Sequence, residues 1–285
     1  MIPAPFAYAR PTTVEEALQA IADGGEDVKV LAGGQSLIPV MRLRLAAPET
    51  VVDLTRVPEL RGVREDGDAL VIGAMTTHAD VLTDPLLARY GRLLVQATET
   101  VADRQVRRRG TVGGALVHAD PAGDLPAVAL ALDAEFVLVG PSGRRTVAAA
   151  DFFLDYLTTV LAEGELLVEV RIPKLGEEWG VRYEKFNRVA QAWSIVAVAA
   201  AVRRQDGRIT EARIGLTNMG PTPLRARATE AALVGVDVSL ETVTAAAAQA
   251  AEGTSPSSDL NAQADYRQHL ATVLTRRAVA AAAGL

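Results

Sequence analysis

The sequence predicts an α+β fold built from two domains. The chain has 285 residues, about the length of two ordinary domains, and 49% of them are hydrophobic, enough to form a packed core in each. Segments with apolar residues at helical spacing occur in both halves together with short strand-like apolar runs. Pro173 and Gly176 mark a change in this pattern. We therefore expect one domain at residues 1–175, with subdomains at about 1–55 and 56–175, and a second domain at residues 176–285.

The first subdomain is predicted to begin with a helix followed by a strand. Thr12 or Thr13 can cap a helix that ends at Gly24-Gly25. A strand is expected at Val28–Leu31, and a second strand follows at 51–54 after an apolar stretch. Together these elements form a small layer of βα type.

The second subdomain is predicted to contain a β-hairpin, several helices and a sheet. The turn-forming residues at 65–68 favour a hairpin between strands at 60–63 and 69–72. Apolar spacing then predicts helices at 78–83, 86–102 and 124–132 and strands at 135–139, 144–147 and 166–172.

The second domain is predicted to combine an antiparallel sheet with helices. Asp206-Gly207 is a turn signal between two apolar runs, and the alanine-rich end of the chain has high helix propensity. The expected strands lie at 182–187, 195–203 and 209–217, and the expected helices lie at 227–233, 240–251 and 264–283.

The composition excludes several kinds of functional site. Because the chain has no cysteine, it cannot carry a disulfide, a thiolate zinc site, a cysteine nucleophile or a cysteine-ligated iron–sulfur cluster. Its formal charge of −6 argues against general nucleic-acid binding, which needs a surplus of cations. The opening residues lack a signal-peptide pattern, and no apolar run is long enough for a membrane span. We therefore expect a cytoplasmic location.

Two glycine-rich segments are the strongest candidates for a ligand site. Leu31-Ala32-Gly33-Gly34-Gln35-Ser36 includes the end of a predicted strand, and Gly110-Thr111-Val112-Gly113-Gly114 follows an arginine-rich stretch at 104–109. Adjacent glycines let successive N–H groups converge on an anion, and Ser36 and Thr111 would each add a hydroxyl. Neither segment matches the dinucleotide or phosphate-loop fingerprint. Each is also compatible with a tight turn that binds nothing, and the arginines with a solvated face or subunit contact.

Taken with further segments, these motifs resemble the FAD-binding medium subunit of the molybdenum hydroxylases, the family of carbon monoxide dehydrogenase and xanthine dehydrogenase. The two glycine segments have the order and separation of that family, and the similarity runs nearly end to end. The other similar segments are Pro5-Phe6-x-Tyr8, Ile72-Gly73-Ala74, 120–126, Asp151-Phe152-Phe153, 183–186, 223–226 and Asp265-Tyr266-Arg267. The resemblance implies an oxidoreductase subunit of that two-domain fold, with FAD in the cleft between its domains.

The resemblance also implies which residues bind FAD. Both glycine segments would hold the pyrophosphate through backbone N–H groups, and Asp124 would bind hydroxyls of the sugar or ribityl portion. Leu167 would pack near the flavin or adenine. Lys185 would lie near the pyrimidine end of the isoalloxazine, where an ammonium favours the negative charge that reduction creates. The full implied set is Leu31, Ala32, Gly33, Gly34, Gln35, Ser36, Thr111, Gly113, Gly114, Asp124, Leu167, Lys185 and Trp193.

Trp193 and the three histidines have more than one interpretation. Trp193 would contact the flavin ring by its face or edge, or equally would anchor the core of the second domain. His78 and His118 lack a second ligand at a metal spacing and are expected to be structural, although His118 follows Gly114 closely enough to lie near the cofactor. His269 is expected on the surface. No metal site and no certain catalytic residue is predicted.

The family resemblance implies a function in electron transfer. In that family a molybdopterin-binding large subunit oxidises the substrate, [2Fe–2S] clusters on a small subunit relay electrons, and the flavin subunit passes them to a terminal acceptor. The absence of cysteine agrees with clusters carried by a partner. The main alternative is a free-standing FAD-dependent oxidase or dehydrogenase, with His118 as the first candidate base. A scaffold subunit without flavin is disfavoured by the intact glycine segments, and a Rossmann-type NAD enzyme by its missing fingerprint.

Overall fold

The computed structural model describes residues 2–285, so Met1 of the opening segment lies outside it. The helices are α1 (Val14–Asp23), α2 (Leu37–Arg42), α3 (His78–Val81), α4 (Pro85–Tyr90), α5 (Arg92–Glu99), α6 (Arg104–Arg107), α7 (Val112–His118), α8 (Asp124–Ala131), α9 (Ala149–Phe152), α10 (Arg227–Leu233), α11 (Leu240–Ala247) and α12 (Ala264–Ala282). Across residues 2–285, none of these helices combines the length and apolar character needed to cross a bilayer.

The strands form three main sheets and one short hairpin, which confirms the predicted α+β class. They are β1 (Ala7–Ala9), β2 (Val28–Leu31), β3 (Thr50–Asp53), β4 (Val63–Asp66), β5 (Ala69–Gly73), β6 (Glu135–Gly140), β7 (Gly143–Ala148), β8 (Phe153–Asp155), β9 (Thr158–Thr159), β10 (Leu166–Pro173), β11 (Trp179–Phe186), β12 (Val196–Gln205), β13 (Arg208–Thr217) and β14 (Leu224–Arg225).

The first sheet is parallel, in the order β1-β3-β2, and is covered by α1. The side chain of Thr13 caps α1 by accepting the N–H of Glu16, as the sequence predicts, and α1 buries Ala17 and Ile21. Since β2 and β3 run parallel, their carboxyl ends lie at the same edge. Crevices at that edge of parallel sheets commonly bind ligands, and the first glycine segment leaves β2 there.

The second sheet is antiparallel, in the order β4-β5-β10-β6-β7, and is covered on both faces. Its residues Val137, Leu166 and Val168 pack with the apolar side chains of the first layer. The opposite face, which includes Ile72 and Phe136, belongs to a core shared with α5, α7 and α8. This sheet therefore fixes α7, which begins inside the second glycine segment at Val112, and α8, whose first residue is Asp124.

The third sheet is antiparallel, in the order β11-β12-β13-β14, and is also covered on both faces. On β12, Ala197, Ala199 and Ala201 join the core of α5 and α8, whereas Val198 and Val202 join the core of α10, α11 and α12. The alternation is that of a strand, but both faces are apolar because both are buried. One hydrophobic core thus continues across residue 175.

The structure differs from the predicted elements in several places. The helix expected at 86–102 is two helices, because the chain turns at Gly91 between α4 and α5 and ends α5 at Glu99. The strand expected at 60–63 begins only at Val63, since residues 58–60 form a 3₁₀ turn that starts with proline. The short strand β1 has no apolar alternation that would have indicated it.

Candidate functional site

The two glycine segments, far apart in the sequence, contact each other in the fold. A Cβ on Gly33 would overlap the carbonyl oxygen of Arg109 and lie 2.7 Å from Cα of Gly110. A Cβ on Gly114 would lie 3.3 Å from Cβ of Ala32. Glycine is therefore required at Gly33 by the close approach of two backbones. We call residues 32–36 glycine loop 1 and residues 110–114 glycine loop 2.

Glycine loop 1 presents a row of unpaired donors. The N–H groups of the five consecutive residues from Gly33 to Leu37 have no hydrogen-bond acceptor within residues 2–285. Gly34 has a left-handed backbone (φ 75°), and the Ser36 side chain makes no capping hydrogen bond to α2. Successive free N–H groups around a left-handed glycine make an anion-binding concavity. This loop therefore has the donors that the sequence analysis expected.

Glycine loop 2 uses all of its N–H donors within the protein except that of Thr111, which has no acceptor within residues 2–285. The N–H of Gly113 donates to the carbonyl oxygen of Ala74 at 2.8 Å, and that of Val112 donates to Thr76 at 3.0 Å. The N–H of Gly114 donates to Oγ1 of Thr111 at 3.1 Å, which caps α7. Loop 2 thus lacks the free N–H groups expected at Gly113 and Gly114, because the fold engages them first. A contact from this loop to pyrophosphate stays a prediction.

Close packing explains the glycines of loop 2. A Cβ on Gly113 would lie 2.6 Å from Cβ of Ala74, and one on Gly110 would lie 2.8 Å from Cδ2 of His78. His78 donates its N–H to the carbonyl oxygen of Gly110 at 2.9 Å, and its buried Nδ1 has no partner within the described residues 2–285. Burial, helped by the charge of Arg107, lowers the pKa of His78 to about 4. His78 is therefore neutral at pH 7 and supports loop 2.

A buried polar cluster lies where α8 meets the third sheet. Oδ1 of Asp124 accepts hydrogen bonds from the Tyr183 hydroxyl at 2.6 Å and from the Ser194 hydroxyl at 2.9 Å. Oδ2 of Asp124 accepts one from Nζ of Lys185 at 2.9 Å. The side chains of Asp124 and Lys185 are each only 5% exposed. The structure thus unites two of the predicted site residues in one ion pair.

The ion pair changes the electrostatic interpretation of Lys185. Nζ of Lys185 also donates to the carbonyl oxygen of Thr100 at 3.1 Å, so its charge is paired and held in place. Removing one partner of such a buried pair would leave the other charge uncompensated. Burial and the adjacent Asp124 carboxylate raise the pKa of Tyr183 well above its usual value, so its hydroxyl stays protonated and remains a donor.

Trp193 is on the surface and Leu167 is in the core. The Trp193 side chain is 54% exposed, so its interpretation as a core anchor is wrong. Its ring centre lies 6.4 Å from that of His118, with the planes tilted by 47°, and Nε2 of His118 lies 3.9 Å from Oδ2 of Asp120. Leu167, on the central strand β10, is 5% exposed and packs in the main core. Only Trp193 of these two offers an open apolar surface to a ligand.

Tyr183 and Ser194 belong to the Asp124 cluster although neither was predicted as a site residue. Tyr183 stands two residues before Lys185 on β11, so strand alternation places both on one face and could have revealed it. Ser194 carries no local signal, because its contact with Asp124 spans 70 positions of the sequence.

The arrangement suits a ligand with an anionic centre and an aromatic part. The N–H groups of glycine loop 1 can donate to a pyrophosphate without adding a charged side chain to the site. The exposed ring of Trp193 offers a face for a planar heterocycle. These features of the chain fit FAD.

Comparison with protein families agrees with this geometry. Residues 4–175 match the family described as the FAD binding domain in molybdopterin dehydrogenase, and residues 181–282 match the CO dehydrogenase flavoprotein C-terminal domain. The chain is 43% identical over 282 residues to the carbon monoxide dehydrogenase medium chain of Hydrogenophaga pseudoflava, covering 99% of this chain and 98% of that one. It is 34% identical to the glyceraldehyde dehydrogenase medium chain of Sulfolobus acidocaldarius, covering 98% of both.

A solved structure of the carbon monoxide dehydrogenase from Hydrogenophaga pseudoflava has the same fold. Its superposition gives a TM-score of 0.96 at 45% sequence identity and covers 99% of this chain and 98% of that one. Homologous dehydrogenase subunits therefore share the whole architecture described above, including both family domains. The chain belongs to the molybdenum hydroxylase family, as an FAD-binding medium subunit of an oxidoreductase.

Proposed function

We propose that this chain passes electrons from iron–sulfur clusters on a partner to a terminal acceptor through its FAD. The partners in this proposal are a [2Fe–2S] small subunit and a molybdopterin-binding large subunit. The observation that carries it is the complete absence of cysteine in a chain that belongs to a family of dehydrogenase medium subunits. Such a chain has no thiolates to hold clusters of its own, so electrons that reach it by clusters must come from another chain.

Glycine loop 1 is proposed to hold the pyrophosphate. The N–H groups of Gly33, Gly34, Gln35 and Ser36 are adjacent and unpaired within residues 2–285, and the Ser36 hydroxyl is available as a further donor. Charge-assisted hydrogen bonds to phosphate oxygens are stronger than those to neutral acceptors. The family resemblance also implies cofactor contacts for Leu31, Ala32 and Thr111. These residues lie near the place where the two loops meet.

The Asp124 cluster and Trp193 are proposed to bind the rest of the cofactor. Asp124 and Lys185 would orient polar groups of the ribityl or isoalloxazine portion, and Trp193 would cover a face or edge of the ring. Bound FAD can accept and donate electrons singly or in pairs, which suits a connection between clusters and a two-electron acceptor. The residues themselves bind and orient the cofactor, and Trp193 restricts water at that face.

Lys185 is proposed to keep the cluster electrically neutral rather than positive. Lys185→Ala should leave the Asp124 carboxylate uncompensated and lower the reduction potential of the bound flavin, because reduction adds negative charge. The double variant Asp124→Asn with Lys185→Met removes both charges and should restore most of the potential. A redox titration of the three proteins measures this. An unchanged potential in Lys185→Ala would remove the electrostatic role of Lys185.

Electron transfer itself is tested with the chain purified alone and in the complex. The chain should show flavin absorbance in the visible range, and substrate of the complex should bleach it only when the cysteine-rich small subunit is present. A colourless chain that takes up no added FAD would contradict the cofactor sites. Oxidation of a substrate by the isolated flavin-loaded chain would support the free-standing oxidase instead.

A further inference from the structure

Asn218 connects two segments that meet at the Asp124 cluster. It follows the last residue of β13 and has a left-handed backbone (φ 62°). Its N–H donates to the carbonyl oxygen of Pro121 at 2.7 Å. Its side-chain Nδ2 donates to the carbonyl oxygens of Ser194 at 2.8 Å and Ile195 at 3.2 Å. One residue therefore forms hydrogen bonds to both segments.

Both of these segments determine where the site residues lie. Pro121 belongs to the loop that leads into α8, three residues before Asp124. Ser194 donates its hydroxyl to Oδ1 of Asp124 and directly follows Trp193. Asn218 thus fixes the backbone near both partners of one hydrogen bond, the donor Ser194 and the acceptor Asp124.

Other contacts near this junction do not replace Asn218. The buried guanidinium of Arg267 also donates to the carbonyl oxygen of Ile195, but it makes no hydrogen bond to the loop that contains Pro121. At the far end of the Trp193 loop, Gln191 donates to Asp103. Within residues 2–285, Asn218 is the only residue that joins these two segments by using both its backbone and its side chain. Its N–H donates to Pro121, and its amide donates to Ser194.

The identity of residue 218 fits this role. Left-handed backbone is costly for most residues but tolerated by asparagine, glycine and aspartate. Glycine would have no amide to donate, and aspartate would face two carbonyl oxygens with a carboxylate. Among the three, only asparagine can adopt this conformation and donate to both carbonyl groups.

We propose that Asn218 is a positioning residue of the FAD site. It acts through Ser194 and Asp124, and it fixes Trp193 on the rim of the site. This inference rests on the proposed cofactor contacts of Asp124 and Trp193, because Asn218 itself is assigned no contact with FAD.

The test compares Asn218→Gly with a matched surface change. Glycine keeps the left-handed backbone and the N–H donated to Pro121, so only the side-chain hydrogen bonds are lost. We expect FAD to bind about tenfold more weakly, since two hydrogen bonds that preorganise the site are removed. Asn261→Gly removes an exposed amide with no hydrogen bond to residues 2–285 and should leave FAD affinity unchanged.

A second measurement reports the position of Trp193 without FAD. The chain has two tryptophans, and Trp179 is only 5% exposed, so iodide quenching of the apo chain reports mainly Trp193. Asn218→Gly should change the quenching constant while the thermal midpoint falls by no more than a few degrees. An unchanged quenching constant together with unchanged FAD affinity would overturn the positioning role.

A double variant tests whether Asn218 acts through Ser194. Ser194→Ala alone should weaken FAD binding, and adding Asn218→Gly should weaken it little further, since both changes release the same contact. Fully additive losses would contradict the inference. Asp124→Asn distinguishes the proposed cofactor site from the role of Asn218. If Asp124→Asn keeps its FAD affinity, the proposed cofactor site is contradicted. If Asp124→Asn loses FAD affinity while Asn218→Gly keeps it, only the role of Asn218 is contradicted.

Discussion

The two glycine loops are both glycine-rich and contact each other, but they use their glycines differently. Loop 1 and the first residue of α2 leave five consecutive N–H groups, from Gly33 to Leu37, without an acceptor in residues 2–285. Loop 2 donates the N–H groups of Val112, Gly113 and Gly114 to Thr76, Ala74 and Thr111 of the protein itself. Loop 1 therefore has N–H donors available to a ligand, whereas loop 2 is held by the protein and packs against loop 1.

This comparison teaches that a glycine-rich motif can serve binding or packing. In loop 1, Gly34 has a left-handed backbone, and the neighbouring N–H groups have no acceptor within residues 2–285. In loop 2, Gly113 keeps an ordinary helical backbone but has no room for a Cβ beside Ala74. Backbone conformation and available donors distinguish the two uses, and neither can be derived from glycine content alone.

The largest effect is expected where the loops touch. In Gly33→Ala the new Cβ would overlap backbone atoms of Arg109 and Gly110, which cannot move aside as a side chain could. We expect a loss of about 3 kcal/mol of stability and no retained FAD, measured by urea unfolding and by flavin absorbance. Lys29→Ala, at an exposed position of the neighbouring strand β2, serves as the control and should keep both. Normal FAD content in Gly33→Ala would contradict the contact between the loops.

Acid should act on loop 2 through His78. Its folded pKa is about 4 and the ordinary value is 6.5, so between these values the unfolded state binds the proton more readily. His78 is therefore neutral in both states above about pH 6.5 and costs no stability there. As the pH decreases from 6.5 to 4, the free energy of unfolding falls by about 3 kcal/mol. Urea unfolding across this range measures the loss. In His78→Gln the loss assigned to this group should disappear, and an identical pH profile would contradict the assignment.

A smaller effect is expected from the cap of α7. Thr111→Ala removes the acceptor for the N–H of Gly114 and should cost about 1 kcal/mol of stability. Thr111→Ser keeps the hydroxyl and should retain most of that stability in thermal unfolding. If Thr111→Ala instead weakened FAD binding strongly at full stability, loop 2 would bind the cofactor directly and the contrast between the loops would fail.

The smallest effect is expected for the corresponding hydroxyl of loop 1. The Ser36 side chain makes no capping hydrogen bond, so Ser36→Ala should leave the thermal midpoint unchanged. FAD should bind about fivefold more weakly if the hydroxyl donates to a phosphate, as titration of the apo chain would show. A loss of stability without a change in affinity would show that Ser36 has the structural role found for Thr111.

Local signals allowed much of the fold to be predicted from the sequence. Thr13 caps α1, and the strands β2, β6 and β10 begin at the residues where the sequence predicts them. The break at Gly91 was missed because the apolar spacing of helices continues through it. Periodicity describes which face is buried, but it does not detect a change in helix direction when both helices bury the same face.

The site was predictable only where its members share an element or a motif. Loop 1 lies in a glycine-rich motif, and Lys185 lies in a segment similar to the family. The partners of Asp124 come from β11 and from the chain before β12, so their meeting depends on how the third sheet packs on α8. The exposure of Trp193 and the internal hydrogen bonds of loop 2 likewise follow from tertiary contacts, which no local pattern records.

The double-sided burial of the third sheet has a consequence for how the molecule loses its structure. Ala199 of β12 packs with α5 and α8, while its neighbour Val198 packs with the C-terminal helices. Detaching the C-terminal half would expose apolar faces on both fragments, so neither half has a complete core of its own. We expect one cooperative unfolding transition for the whole chain, with FAD released in that same transition.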